Sequence, residues 1–153
     1  MAYTKRLDKR KFDELRPIMA EVGVVPNADG SALFAFGKTI AIAAVYGPKP
    51  LHPQHLQEPD RGIIRCSYNM LPFSVTERAR PGPNRRSKEI SMVAGNALAS
   101  VVDLTRFPGT VIDVEIMILQ ANASTRCAGI NAAAMALAHA GVVMKEMVSS
   151  VSI

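Results

Sequence analysis

The sequence predicts a single domain that contains both β-strands and α-helices. Its 153 residues match the length of one domain. Several stretches alternate between apolar and polar residues, as strands do. One later stretch repeats apolar residues every three or four positions, as helices do, and another is an alanine-rich apolar run that ends at a glycine. Hydrophobic residues make up 48% of the chain and charged residues 20%, which is typical of a folded globular protein and excludes a disordered one.

The first part of the chain is predicted to form a three-stranded meander. Residues 1–16 are charged and are expected to form a loose arm. Residues 20–25 have an extended pattern, and a turn follows in which Gly30 can adopt positive φ. Strands are then predicted at residues 32–36 and 39–46. The second of these is almost entirely apolar, which predicts burial on both of its faces.

A proline-rich stretch, residues 47–60, follows the meander. Its four prolines predict an irregular surface loop. His52 and His55 could be metal ligands, but no carboxylate or thiol is placed to complete a site, so we interpret them as loop residues. Residues 62–71 then alternate as a fourth strand, which Pro72 ends.

Two helices are predicted in the second half of the chain. The first begins after a Pro-Gly-Pro sequence, with Asn84 or Ser87 as its N-cap. The second, residues 126–140, is rich in alanine, which predicts close packing on a sheet or on the first helix, and Gly141 ends it. The apolar positions of the first helix are Ile90, Val93, Ala94, Ala97, Leu98, Val101 and Leu104.

A fifth strand is predicted between the helices, at residues 110–119. Its even-numbered apolar residues face one way. Asp113 and Glu115 lie on the other face, where we expect them to be exposed and structural rather than acid–base catalysts. The strand is expected to become more buried towards its end. Residues 148–153 are expected to begin another strand.

The positive charge of the chain is concentrated in one segment. The net charge is +5, and residues 61–90 contain seven arginines and lysines against two glutamates. This segment is either a solvated basic loop or a surface for a phosphate-rich partner, most simply a nucleic acid. Few aromatic residues lie nearby, which favours contact with a nucleic-acid backbone over stacking on bases.

The start of the second helix is the strongest candidate for a binding site. Ser124, Thr125 and Arg126 lie where unpaired N–H groups and the positive end of the helix dipole favour an anion. Arg85 and Arg86, ahead of the first helix, could supply a second guanidinium for a tetrahedral anion. The alternative is that Ser124 or Thr125 only caps the helix and that Arg126 pairs with a carboxylate.

Other chemistry has less support in the sequence. Cys66 and Cys127 lack the spacing of a zinc site or a disulfide framework, so we expect reduced thiols. Cys127 has no histidine placed to activate it, and His139 is expected to pack or to cap the second helix. No apolar run is long enough to span a membrane and the N-terminus is too polar for a signal peptide, so we expect a cytoplasmic protein without membrane contact.

Several motifs, in their order and spacing, resemble those of the RNase PH family, and most closely its archaeal exosome members. They are Arg10-Lys-Phe-Asp-Glu-Leu-Arg-Pro, Ala28-Asp-Gly-Ser-Ala, Ala43-Ala-Val-Tyr-Gly-Pro, Tyr68-Asn-Met-Leu-Pro-Phe-Ser, Arg80-Pro-Gly-Pro-Asn-Arg-Arg-Ser and Thr125-Arg-Cys-Ala-Gly-Ile-Asn-Ala-Ala. The resemblance implies an α+β, RNase PH-like fold similar to the second domain of ribosomal protein S5, with a mixed sheet packed against two helices. It covers residues 1–153 as a single domain.

The resemblance also implies a phosphate-dependent 3′→5′ exoribonuclease subunit of an exosome-like ring. Inorganic phosphate would be the co-substrate, and it would attack the terminal phosphodiester of RNA and release nucleoside diphosphates. The implied partners are RNA and related RNase-PH-type subunits. By position in the motifs, the residues that would bind phosphate are Arg86, Ser124, Thr125 and Arg126. Those that would contact RNA are Arg61, Arg65, Arg80 and Arg85.

The chain departs from the family pattern at three points. Ser124 stands where the family usually has glycine before the Thr-Arg pair. Lys9 likewise stands where the family usually has glycine in the motif at the start of the chain. The family's acidic residues, which act as general acid and help to hold Mg²⁺, are expected only after Ile153. We therefore expect a domain without its C-terminal part, with no catalytic residue or metal ligand of its own. Such a chain would bind phosphate and RNA but would not complete phosphorolysis alone, unless a second polypeptide supplied the remaining part.

Two alternatives to the enzyme stay open. One is a non-catalytic structural or RNA-binding subunit of such a ring, or an inactive fragment. The other is a nucleic-acid-binding module with the S5-like fold and no relation to exosomes. Arg86, Thr125 and Arg126 favour the enzyme, whereas Ser124 and the acidic residues that are expected elsewhere favour the first alternative.

Overall fold

A computed structural model describes residue 6, residues 10–80 and residues 82–152. The expectation of a loose arm at residues 1–16 therefore falls partly outside the described residues, as does Lys9. Two α-helices pack on a sheet of five strands. The strands are β1 Ile18–Val22, β2 Gly30–Phe36, β3 Thr39–Pro50, β4 Ile63–Met70 and β5 Thr110–Gln120, and the helices are α1 Arg85–Val101 and α2 Thr125–His139.

The strands form one mixed sheet in the order β1-β2-β3-β5-β4. The antiparallel meander β1-β2-β3 is confirmed, and β5 pairs antiparallel with β3. Strand β4 pairs parallel with β5, because α1 carries the chain from one end of the sheet back to the other. Strand β5 is therefore central, with a neighbour on each side.

The core lies between the helices and one face of the sheet. Alternate residues of β5, from Ile112 to Ile118, are all buried on this face, and so is Tyr68 of β4. Helix α1 contributes Ile90, Ala94 and Leu98, as its three-to-four spacing predicts. Its N-cap is Asn84, whose side chain accepts from the N–H of Ser87 while the Ser87 hydroxyl accepts from the N–H of Asn84.

The alanines of α2 allow this helix to lie close to the sheet. Ala128, Ala132 and Ala136 are completely buried. A Cβ atom on Gly30 of β2 would lie 2.3 Å from the carbonyl oxygen of Ala136. Gly30 therefore serves the close approach of helix and strand, and not the positive φ that the turn pattern predicts. Gly141 does have positive φ, at 72°, and ends α2 as predicted.

The opposite face of the sheet differs from its predictions. Ile40, Ile42 and Tyr46 of β3 are only half-buried, so the prediction that both faces of this strand are buried is wrong. No α-helix of residues 10–80 and 82–152 covers that face. In β5, Asp113 is 8% exposed and not solvated as expected, and burial is most continuous at the start of the strand, not at its end.

Two segments also differ from their predictions. Strand β3 continues through residues 47–50 with a shift of register, so the proline-rich loop is shorter than predicted. Residues 148–152 do not form a strand. Instead the buried Asn131 side chain holds the backbone of Ser150, donating to its carbonyl oxygen at 2.9 Å and accepting from its N–H at 2.7 Å. None of the helices described is long and apolar enough to cross a membrane.

Candidate anion-binding site at the start of the second helix

Both helices begin at the same edge of the sheet. Strands β4 and β5 are parallel, so their C-terminal ends lie side by side, and each is followed by a helix that runs back along the sheet. An ion pair joins the first turn of α2 to the residue just after the first turn of α1: Nη2 of Arg126 lies 3.0 Å from Oε1 and 3.1 Å from Oε2 of Glu89. This edge is where ligands commonly bind to sheets that contain such parallel units.

The chain enters α2 through an unusual backbone turn. Ala123 and Ser124 both have positive φ, at 61° and 59°, a conformation that glycine adopts far more readily. The Ser124 side chain makes no capping hydrogen bond. The N–H groups of Thr125, Arg126 and Cys127 find no acceptor among residues 10–80 and 82–152. The N-cap of α1 pairs one such donor with the Asn84 side chain, whereas these three N–H groups of α2 are all left free, which suits an anion.

The Arg126–Glu89 ion pair agrees with the alternative interpretation of the sequence, in which Arg126 pairs with a carboxylate and does not bind an anion. Both side chains are about half exposed, at 45% and 49%. Exposed pairs of this kind contribute only about 0–1 kcal/mol. The bond uses one terminal nitrogen, whereas a guanidinium has five N–H donors. An anion at the helix start can therefore bind Arg126 without a large cost.

The side chain of Tyr68 lies beside the first half of α2. Its ring lies against Gly129 of α2, where a Cβ atom would come within 3.6 Å of the ring. Burial raises the pKa of the Tyr68 hydroxyl, and nearby Thr125, Arg86 and Arg126 partly offset that rise. The Thr125 hydroxyl is thus close to that of Tyr68, although the two do not meet the geometry of a hydrogen bond. The charges of Arg86 and Arg126, one on each helix, therefore both act on the Tyr68 hydroxyl.

The Tyr68 hydroxyl is itself a feature of the site. Tyr68 is 2% exposed, and its hydroxyl has no hydrogen-bond partner in the described part of the chain. Ser74, in the turn after β4, has the same kind of unpartnered buried hydroxyl. The alternation of β4 predicts only that Tyr68 faces the core. Its position at the head of the Tyr68–Ser74 motif is the one sequence signal for a further role.

The arginines beside Arg86 are exposed. Arg80 and Arg85 lie at the surface just before and within the first turn of α1. No acidic residue of the described chain forms an ion pair with Arg80, Arg85 or Arg86. Their guanidinium groups are therefore available to a phosphate-rich ligand.

Arg61 and Arg65 do not join this cluster. Arg65 forms a two-pronged ion pair with Asp113, with Nε at 2.6 Å and Nη2 at 2.9 Å, and Arg61 pairs with Glu58. Because residues alternate along β4, Arg65 faces the side of the sheet opposite Tyr68. Burial alone would raise the pKa of Asp113, but hydrogen bonds from Arg65 and Lys49 outweigh it and lower that pKa.

The remaining reactive side chains lie in structural positions. Burial, together with the negative charge of Glu115, raises the pKa of the Cys66 thiol to about 12, so this thiol does not ionise near neutral pH. His139 accepts a hydrogen bond at Nδ1 from the N–H of Ser31, at 3.3 Å, at the far end of α2. The part of the chain that the structure describes contains no group of three or more His, Cys, Asp or Glu side chains that could hold a metal ion.

Comparison with known proteins identifies the family. The 3′ exoribonuclease family, domain 1, also called RNase PH, matches residues 14–143. The chain belongs to this family. The resemblance of its motifs to RNase PH proteins is thereby confirmed.

Relatives within the RNase PH family are similar over nearly all of this chain. Exosome complex component Rrp41 of Thermococcus kodakarensis is 60% identical over 146 residues, which are 95% of this chain and 59% of that protein. The Rrp41 component of Pyrococcus furiosus is 57% identical over 148 residues, 97% of this chain and 59% of the relative. The chain therefore spans about three-fifths of the length of these relatives.

Solved structures confirm the RNase PH-like fold. The crystal structure of rice Rrp46 superposes with a TM-score of 0.81 at 30% identity, covering 93% of this chain and 64% of that one. The Archaeoglobus fulgidus exosome with RNA bound to the active site superposes with a TM-score of 0.75 at 28% identity. That match covers 88% of this chain and 56% of that one.

Proposed function

We propose that this chain supplies the phosphate-binding and RNA-binding residues of a phosphate-dependent 3′→5′ exoribonuclease. The enzyme would work as a ring of related RNase-PH-type subunits in the cytoplasm. The observation that carries this proposal is the uncapped start of α2, joined to the start of α1 by the Arg126–Glu89 ion pair. Arg86 lies three residues before Glu89, on the same side of α1. The similarity to exosome components, and to an exosome structure with RNA at its active site, supports the same function.

Inorganic phosphate is the proposed co-substrate, held by Arg86, Thr125, Arg126 and the N–H groups at residues 125–127. A phosphate oxygen forms a bond to the phosphorus of the terminal phosphodiester, and the bond from that phosphorus to the 3′ oxygen of the preceding nucleotide breaks. Two anions must approach each other for this step. The guanidinium groups offset their repulsion and orient the attacking oxygen, which is the main source of catalysis in phosphoryl transfer.

The leaving 3′ oxygen needs a proton, and none of the groups described at the cluster is placed to donate it. The contribution of this cluster is therefore binding and charge neutralisation. We propose that residues 1–153 form one RNase-PH-type domain and that the acid comes from outside its described residues. The described residues contain no group of three or more His, Cys, Asp or Glu side chains that could hold Mg²⁺, so we propose no step that uses it.

The RNA backbone is proposed to cross the exposed basic residues ahead of α1. Arg80 and Arg85 would contact the phosphates next to the reacting one, because they neighbour Arg86 and have no acidic partner among the described residues. Arg61 and Arg65 would contact RNA only farther along its path. They are ion-paired, and Arg65 lies on the other face of the sheet.

Calorimetric titration with inorganic phosphate tests the proposal. Arg126→Ala and Arg86→Ala should each weaken phosphate binding by about tenfold or more, because charge-assisted hydrogen bonds to an anion are worth roughly 1.5–3 kcal/mol. Arg106→Ala is the matched control, since Arg106 pairs with Asp103 after the end of α1. Unchanged phosphate binding in Arg126→Ala and Arg86→Ala would contradict the proposal.

A non-catalytic RNA-binding ring subunit is the second candidate. The Glu89–Arg126 ion pair favours it, because the carboxylate occupies part of the guanidinium that phosphate would need. This candidate predicts that the chain binds labelled polyadenylate but not inorganic phosphate. A chain that binds RNA but shows no measurable binding of phosphate would support this second candidate over the enzyme.

A further inference from the structure

The Tyr68 hydroxyl is a buried polar group that the fold does not explain. Only two buried side-chain polar atoms of the described chain lack a hydrogen-bond partner, and it is one of them. Native proteins nearly always pair such groups, so an unpaired one needs a reason. A phenylalanine ring would fill the same space between Gly129 and Ile116 without burying a hydroxyl.

The position of Tyr68 is fixed from both helices. Its backbone N–H donates to the Ser91 hydroxyl of α1 at 2.9 Å, and that hydroxyl donates to the carbonyl oxygen of Ser87 at 2.7 Å. Its ring contacts Gly129 of α2. The hydroxyl is therefore held beside the start of α2 and cannot turn to a partner elsewhere.

The chemistry of the neighbours limits what the Tyr68 proton can do. The Tyr68 ring contacts Gly129, one helical turn after Thr125 on α2. The charges of Arg86 and Arg126 act on its hydroxyl and partly offset the rise in its pKa. A guanidinium has no acceptor atom. Among these neighbours, the proton can go only to Oγ1 of Thr125 or to an oxygen of a bound anion. Because burial raises the pKa of Tyr68 above its ordinary value, that proton is present at neutral pH.

We propose that Tyr68 is a positioning residue of the phosphate site, which donates a hydrogen bond to Oγ1 of Thr125 when phosphate binds. With that oxygen accepting from Tyr68, the Thr125 proton points towards the phosphate. Tyr68 acts through Thr125 because its own oxygen is shielded from solvent, whereas Thr125 is the first residue of α2, next to the free N–H groups. This inference rests on the phosphate site proposed above.

A double-mutant cycle with inorganic phosphate as the probe tests the inference. Tyr68→Phe and Thr125→Val should each weaken phosphate binding by about fivefold, the effect of one hydrogen bond. The double variant should bind no more weakly than Thr125→Val alone, because the tyrosine acts through the threonine. Tyr46→Phe, on the other face of the sheet, should bind as the wild type does. The melting temperature of Tyr68→Phe should equal or exceed that of the wild type, because an unpaired hydroxyl is removed.

A measurement on the unaltered chain complements the variants. With ¹³C-labelled tyrosine, phosphate should shift the Cζ resonance of Tyr68 and leave that of Tyr46 in place. Equal phosphate binding by Tyr68→Phe and the wild type, additive effects in the double variant, or an unmoved Tyr68 resonance would overturn the inference. If Arg126→Ala weakens binding in the same series, the phosphate site stands and only the role of Tyr68 falls. If the wild-type chain binds no phosphate, both fall.

Discussion

Replacement of Ser124 by glycine should stabilise this protein. Ser124 has φ 59° and ψ 24°, in the left-handed region, and its side chain makes no capping hydrogen bond. A side chain in that region costs about 1–2 kcal/mol, because the Cβ atom approaches the following carbonyl oxygen. Glycine avoids this contact, and no hydrogen bond of the serine is lost.

The expected gain is the difference between two effects. Relief of the left-handed strain contributes about 1–2 kcal/mol, and the greater freedom of glycine in the unfolded chain takes back about 0.4–1 kcal/mol. The midpoints of these two ranges differ by about 0.8 kcal/mol in favour of glycine, which raises the melting temperature of a domain of this size by roughly 2–3 °C. Ser124→Ala keeps the Cβ atom and should change stability by less than about 0.5 kcal/mol.

Urea unfolding followed by circular dichroism measures these differences. Ala123→Gly should also stabilise the protein, because Ala123 has φ 61°. Ala97→Gly, inside α1, is the opposite control and should cost about 1 kcal/mol, since glycine is unfavourable within a helix. If Ser124→Gly destabilises the protein as Ala97→Gly does, the left-handed conformation at the start of α2 is wrong.

Three further predictions concern the site, the sheet and the packing of α2. Glu89→Gln should strengthen phosphate binding about two- to fivefold in a calorimetric titration, because a carboxylate that competes for Arg126 becomes neutral. Asp113→Asn should cost about 1–2 kcal/mol at pH 7, as measured in urea. Because the folded pKa of Asp113 is lowered, its contribution is fully present above the unfolded pKa and is lost as pH falls through the folded value. The difference between wild type and variant should therefore begin to shrink below about pH 4 and should vanish only below the folded pKa. Gly30→Ala should destabilise the protein by about 3 kcal/mol, because its Cβ atom would lie 2.3 Å from the Ala136 carbonyl oxygen.

Each of these predictions has a contradicting result. Weaker phosphate binding by Glu89→Gln would mean that Glu89 positions Arg126 for the anion instead of competing with it. A stability difference for Asp113→Asn that does not shrink as the pH falls from 7 to 2 would show that its carboxylate charge is not the stabilising feature. A Gly30→Ala variant as stable as the wild type would show that α2 lies farther from β2.

Local patterns in the sequence predict the elements of this fold well. Alternation predicts the strands because one face of each is buried, and Asn84 and Gly141 mark helix ends through their own hydrogen bonds and backbone angles. The failures concern distant contacts. The burial of Asp113 depends on Arg65 and Lys49, which reach it from two neighbouring strands. These ion pairs depend on the order of the strands in the sheet, which the alternation of residues within β5 does not predict.

The same difference between local patterns and distant contacts applies to the candidate site. The run of residues 124–126 predicts an anion site because the chemistry of a helix start is local, whereas the Glu89–Arg126 ion pair joins two helices that lie far apart in the sequence. The number of arginines in a segment does not show which face of the sheet each one occupies. The sequence therefore predicts one basic surface, although Arg65 lies on the face of the sheet opposite Tyr68. Tyr68 looks like any other core residue in its strand, because its unpartnered hydroxyl appears only when the two helices are in place.

The central claim is that phosphate binds at the start of α2. Titration of the ¹⁵N-labelled chain with inorganic phosphate, followed by amide resonances at constant ionic strength, tests it most directly. The largest shifts should occur at Thr125, Arg126 and Cys127, should saturate, and should disappear in Arg126→Ala. Non-saturating shifts spread over the basic residues ahead of α1, with those three amides unmoved, would contradict the claim.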